Sequence, residues 1–407
     1  MRLLVSPFSI LTLLLITLGA KAAVHQEPDT IRNRYEDDAS GKEFLRSFCQ
    51  NPEPALCAEH RKNYGDKAPV YALYNKERNA VREKSLTDMA NGTRPNGQKW
   101  DLDLSKESPG QLLRQMNVVG QELNPVTQTL EPSKITLTKG EMYYQYLLNL
   151  EKQMDWDPTS LKEIQNNLIQ KIHTLELPVG MVDANNVGGL ELKKVLENEL
   201  SVTEPVSPTW AFKLLGMKQF QVTCGVDGMS MGAIRIGLPP RAAFIVCPGT
   251  LVYFAAMGGK QLPLGKTAEK SMAFLTGHEL FHGIDNTALN RRFESLYREF
   301  LDCLQSRLVP NTLAEQRFRL PAREWIADFG GGLTLADEIS KAASPQEKAN
   351  TLKDALELFC DLPDSDSHPP SQSRLLMLLA NEAFSKSIGC SQPAYCSLKG
   401  HTIPGTP

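Results

Sequence analysis

Residues 277 to 285 read GHELFHGID, with His278 and His282 four apart, Glu279 beside the first histidine and Asp285 three past the second. On a helix, residues four apart are turned by about 400°, so both imidazoles leave one face a single turn apart, within reach of one ion. Glu279 points roughly 100° away from His278, which suits it to take a proton from water at such an ion rather than to ligate it. The preceding residues, KSMAFLTG, carry apolar side chains at helical spacing, so the motif is expected on a buried helix.

A catalytic zinc takes three protein ligands and keeps a fourth position open, so the motif calls for one more donor. The stretch REWIADFGGGL, residues 323 to 333, offers Glu324 and Asp328 one helical turn apart. Glu324 at that spacing is placed to ligate while Asp328 hydrogen-bonds a ligand histidine from behind. By itself the pair reads more readily as an ordinary solvated helix face, since acidic residues four apart are common there.

Composition narrows the function classes. The chain has 407 residues with 44 Lys and Arg against 47 Asp and Glu, which is ample for a large core and leaves no basic footprint for nucleic acid or acidic lipid. Arg2, the apolar stretch Ile10 to Leu18 and the small-residue pattern Ala20, Lys21, Ala22 read as a signal peptide over residues 1–22. The competing reading is a type II membrane anchor through residues 3–20, a run short for a bilayer. The eight cysteines are an even set suited to disulfides in an oxidising compartment, with Cys49 and Cys57 expected to pair locally. No CxxC occurs, which speaks against a cysteine zinc site. Asn91, Gly92 and Thr93 form a glycosylation sequon next to turn-forming residues, so Asn91 is expected in a loop.

Helical periodicity runs from about Gly110 to Glu176, and His173 there reads as a helix-surface residue. The turn formers of LPVGMVDANNVGG, residues 177–189, mark the expected boundary between an N-terminal helical region, 23–184, and a second lobe, 185–407. Between Phe220 and Phe254 the apolar runs FQVTCGV, AAFIVC and TLVYFAAM read as strands or extended segments. Helices are then expected at 270–282, 291–308, 322–341 and 346–359, which makes the fold mainly α with a small β part.

HELFHGID followed by EWIADFGGGL resembles the neprilysin family of zinc metallopeptidases, whose paired blocks read HExxHGFD and ENIADNGG. DSHPPSQSR, residues 366–374, resembles that family's DxHSPxxxR segment, and PGTL, FESLYREFLDCLQSRL and FSKSIGCSQPAYC match it more loosely. The resemblance implies a thermolysin-like zinc peptidase lobe preceded by a reduced helical region. It implies one zinc ion on His278, His282 and Glu324, with Glu279 as general base and Asp285 and Asp328 as hydrogen-bond partners of the ligand histidines. His368 would stabilise the developing oxyanion and Arg374 would hold the peptide backbone. The implied activity is secreted zinc-dependent hydrolysis of short extracellular peptides, with apolar side chains favoured after the scissile bond.

The chain also departs from that pattern. Arg235, Ile236 and Gly237 stand about where the family carries an Asn-Ala-Tyr or Asn-Ala-Phe motif whose asparagine grips the substrate backbone. Asn286 replaces an aspartate, Arg323 a glycine, and Trp325 and Phe329 replace asparagines, while every ligand position is kept. Losing a substrate contact weakens positioning, and about 1 Å of misplacement costs on the order of a hundredfold in rate. The alternative is therefore a neprilysin-like protein that acts by peptide or protein binding.

Overall fold

The computed structural model describes residues 38–64, 69–94, 96–100, 108–116, 121–123, 130–132, 134–174, 194, 197–238, 241–257, 262–264, 270–285, 319–361 and 369–391. These are mostly helical, with a small sheet, as the periodicity predicts. The N-terminal helices are α1 (Asp38–Gln50), α2 (Pro52–Tyr64), α3 (Pro69–Asn91), α4 (Pro109–Met116), α5 (Lys134–Met154) and α6 (Thr159–Thr174). Between α4 and α5 a two-stranded antiparallel ribbon joins β1 (Gln121–Leu123) to β2 (Leu130–Pro132). Asn91 is the exposed last residue of α3, at a helix end rather than within a loop.

A three-stranded sheet follows, in the order β3–β5–β4: β3 (Thr203–Val206) runs parallel to β5 (Arg241–Val246), and β4 (Ala233–Leu238) is antiparallel to β5 at the edge. Only the AAFIVC run of the three expected extended segments forms a strand. FQVTC closes helix α7 (Pro208–Cys224), and TLVYFAAM lies in α8 (Pro248–Met257). The reason is burial: every residue of α8 is buried, and an apolar run buried on all sides has no period that separates helix from strand. Pro248 at the first helical position and Ser207, whose hydroxyl accepts from Trp210 N–H, are start signals that favour the helices.

The second lobe continues with α9 (Lys270–Asp285), α10 (Arg319–Ser340), α11 (Pro345–Leu356), α12 (Leu358–Asp361), α13 (Ser371–Ala380) and α14 (Glu382–Ser387). The expected helices at 270–282, 322–341 and 346–359 correspond to α9, α10 and α11 with α12, and the expected helix at 291–308 and the boundary at 177–189 lie outside the described residues. One continuous core runs from Phe44 and Phe48 of α1 to Phe384 of α14. The first two helices pack on the last ones: α1 on α11, where a Cβ at Gly41 would sit 2.6 Å from the Gln346 backbone, and α2 on α12 and α13.

The expected Cys49–Cys57 pair does not form. Cys49 bonds Cys390 and Cys57 bonds Cys360, with sequence separations of 341 and 303, because α1 and α2 dock on the C-terminal helices rather than on each other's cysteines. A third bridge, Cys224–Cys247, joins the end of α7 to the end of β5. Cys303 and Cys396 lie outside the described residues. No helix among the described residues is long and apolar enough to cross a membrane.

The two long-range bridges are nested, so with one intact the other closes only a short remaining path. In chain-entropy terms, removing either alone costs about 4 kcal/mol, whereas removing both also frees the long loop and costs about 10 kcal/mol. Urea unfolding of Cys49→Ala/Cys390→Ala, of Cys57→Ala/Cys360→Ala and of the fourfold variant should therefore show a combined loss larger than the sum of the two.

Candidate metal centre

The site is built where α9 crosses α10. Nearly every described side chain of α9 from Ser271 to Phe281 is buried, so its position is set by packing on all sides. Gly277 permits the approach: a Cβ there would meet Thr334 Oγ1 at 2.3 Å and the Gly330 carbonyl at 2.6 Å. From the other helix, a Cβ at Gly330 would meet the Phe281 ring at 2.2 Å, and one at Gly331 the Phe274 ring at 2.6 Å. Glycine inside a helix costs roughly 0.5–1 kcal/mol against alanine, so these positions trade helix propensity for closeness. Thr334 fastens the crossing by donating its hydroxyl to the Ala273 carbonyl at 2.6 Å.

The close crossing lets α10 reach the histidines of α9. His278 Nδ1 stands 2.9 Å from Asp328 Oδ1, and since a carboxylate accepts, the ring's Nε2 turns the other way. There it lies 3.1 Å from His282 Nε2 and 3.4 Å from Glu324 Oε2, and His282 Nε2 lies 3.8 Å from Glu324 Oε1. The ligand atoms of His278, Glu279 and His282 also fall within 4.8 Å of one another, so this group can hold a metal ion. Both carboxylates thus face the pair of imidazoles, with Glu324 making the close approach to both rings.

The donor set fits a small cation. Tetrahedral zinc with bonds of about 2.0–2.1 Å spaces its donors about 3.3–3.4 Å apart, close to the 3.1 Å between the two Nε2 atoms and the 3.4 Å from His278 Nε2 to Glu324 Oε2. Two imidazoles and a carboxylate are the nitrogen and oxygen donors that zinc accepts.

Behind the donors lies a chain of buried charge. Arg374, at the start of α13, donates from Nε to Asp328 Oδ2 at 2.8 Å and from Nη2 to Asp328 Oδ1 at 2.6 Å, and its guanidinium sits over the Phe359 ring. Burial alone would raise the Asp328 pKa, but the Arg374 cation and the bonds from Arg374 and His278 bring it below the usual carboxylate range. Burial likewise disfavours the His278 imidazolium, yet its bonds to Asp328 and Glu324 outweigh this and hold its pKa above the ordinary value.

Of the residues marked in the sequence, His278, Glu279, His282, Glu324 and Asp328 come together, and Arg374 joins them through Asp328. The Asp285 side chain and His368 lie outside the described residues. Two further residues touch the site's helix without having been marked as part of it: Thr334 at the crossing, and Arg235, whose guanidinium packs on Gly283. Gly283 directly after the second histidine was the available signal for close packing there, but nothing in the sequence names the side chain that fills the space.

Cutting Arg374 back to Met should leave the Asp328 carboxylate buried without its cation and cost about 3–5 kcal/mol, read from denaturant unfolding. A metal must displace the proton that His278 binds, so affinity should fall as the pH drops through the raised His278 pKa. The fall should be about tenfold per pH unit for each ligand imidazole that must lose a proton, which competition with a chelating dye across pH would measure.

Comparison with protein-family models, with curated proteins and with solved structures finds no match, so the functional reading stands on the motif, its resemblance and this geometry.

Proposed function

We propose that the protein is a secreted zinc metalloendopeptidase of the neprilysin type that hydrolyses short extracellular peptides. The observation that carries this reading is the convergence of His278 Nε2, His282 Nε2 and the Glu324 carboxylate at 3.1–3.8 Å, with a second carboxylate, Glu279, in the same cluster. A structural zinc site is closed by four protein ligands and is typically rich in thiolates, whereas all six described cysteines are in disulfides. Three disulfides also fit an oxidising compartment.

In this reading His278, His282 and Glu324 hold the ion. When bound, zinc supplies Lewis acidity toward water and toward a carbonyl oxygen. Glu279, 8% exposed and with a carboxylate oxygen in the same cluster as the two imidazoles, accepts the proton of the attacking water as the water oxygen bonds to the scissile carbonyl carbon. It then passes that proton to the departing amine nitrogen as the C–N bond breaks. Asp328 holds the His278 ring with Nδ1 engaged and Nε2 turned inward, and Arg374 keeps Asp328 ionised. Arg374 is itself buried, so its contribution runs through Asp328 in addition to any contact with a peptide.

One observation favours a second reading, a protein that binds peptides and cleaves them slowly. Arg235, at the place the resemblance assigns to a substrate-gripping asparagine, is committed to Thr203 and Glu199. An arginine anchored in this way does not offer an amide to a peptide backbone. The two readings share the metal centre and differ in turnover.

The test is the purified full-length protein, its zinc content measured and a peptide library digested with and without chelator. Zinc should be present at one per chain, and cleavage should be lost on chelation and restored by zinc. Glu279→Gln should keep the zinc and lower cleavage at least a hundredfold. Cleavage that survives this substitution would remove Glu279 from the base role; zinc without any cleavage by the unmodified protein would leave the binding reading in its place.

A further inference from the structure

The second histidine of the cluster, His282, sits in the last turn of α9, and the residue after it is Gly283. A Cβ built at Gly283 would lie 2.7 Å from both Cζ and Nε of Arg235 and 3.0 Å from its Nη2. Near-equal distances to three atoms of one plane mean that the guanidinium meets the helix backbone face-on, at van der Waals range. Only glycine leaves room for it.

Arg235 does not reach this place loosely. It lies in the edge strand β4, opposite Phe244 of β5, and its side chain is 3% exposed. Nε donates to Thr203 Oγ1 at 2.9 Å, at the start of β3, and Nη2 donates to Glu199 Oε2 at 2.8 Å, in the helical turn 197–201. Thr203 Oγ1 in turn donates to the Glu199 carbonyl at 2.8 Å, so both anchors belong to one braced corner. The Glu199 carboxylate supplies the countercharge that a buried guanidinium requires. A cation at the carboxyl end of α9 is also favoured by the helix dipole.

We propose that Arg235 is a positioning residue for the metal centre: anchored on Thr203 and Glu199, it clamps the last turn of α9 at Gly283 and so holds the His282 ring toward His278 and Glu324. The site is thereby fixed from two sides. Asp328, on α10, orients His278, and Arg235, on the sheet, sets the turn that carries His282. A planar guanidinium with donors in a fixed fork performs this role, whereas a lysine ammonium offers a point charge and no face to lay on the peptide. In this account the arginine at 235 is more than a lost substrate contact, because it makes the geometry of the ligand helix depend on the sheet beside it.

The inference rests on the metal reading of the cluster, and the experiment separates the two. The full-length protein is stripped with chelator and titrated with Co²⁺, recording the visible absorption bands, the affinity and the urea midpoint for wild type, Arg235→Lys and Thr203→Val. Partners that orient ligands typically change metal affinity about 10–100-fold, so Arg235→Lys should weaken Co²⁺ binding about tenfold and shift the bands. Thr203→Val, which keeps side-chain shape and removes the Nε anchor together with the hydroxyl's bond to the Glu199 carbonyl, should shift both in the same direction by a smaller amount, since the Glu199 carboxylate still holds Nη2. It carries the test if Arg235→Lys does not fold. Wild-type affinity and spectrum in every folded variant, even with a lowered urea midpoint, would reduce Arg235 to ordinary packing and overturn the proposal. Wild-type protein that takes up no Co²⁺ would overturn the metal reading and this inference together.

Discussion

The structure depends on the close contact of two buried helices, α9 and α10, at a crossing where glycines on each helix receive side chains of the other. Gly277 meets Thr334 and Gly330, while Gly330 and Gly331 receive the rings of Phe281 and Phe274. Each glycine weakens its own helix, and three in a row at Gly330 to Gly332 would mark a break in an exposed helix. Here the backbones come close enough for Thr334 to bond across to the Ala273 carbonyl and for Glu324 and Asp328 to reach the histidines. Added bulk at the crossing would push the carboxylates of one helix away from the imidazoles of the other.

That contact makes the buried charge tolerable. Two histidines, three acidic residues and an arginine share an interior region, an arrangement that is costly unless each charge is matched. Arg374 spans both oxygens of Asp328, Asp328 engages His278, and His278 faces Glu324 and His282. Two imidazole nitrogens and a carboxylate pointing at one centre place their electron-rich atoms against each other, which a cation relieves. The same arrangement that is expensive as a core is suited to holding an ion.

The periphery ties this centre to the rest of the chain. Arg235 links the end of α9 to the sheet through Thr203 and Glu199, and the lysines at 171 and 341 flank Asp337 on the outer side of α10. Nested bridges from α1 and α2 to Cys390 and Cys360 hold the first helices against the last, so the two ends of the described chain form parts of one core.

Much of this was legible in the residues alone. The spacing of His278, Glu279 and His282, the one-turn offset of Glu324 and Asp328, and the helical periods of α5, α6, α9, α10 and α11 follow from 3.6 residues per turn, a local property that each segment carries by itself. The cysteine partners, the helical state of TLVYFAAM, the place of Arg235 and the pairing of Arg374 with Asp328 were not legible. Cysteine pairing is decided by which helices dock, an apolar run buried on all sides carries no period, and an arginine reads as a surface charge until its carboxylate is found on another element. The sequence determined which side chains share a helix face. Only the tertiary structure, through the glycine contact that brings α9 onto α10, decided which faces meet, because that depends on shapes hundreds of residues of chain must agree on rather than on any one turn.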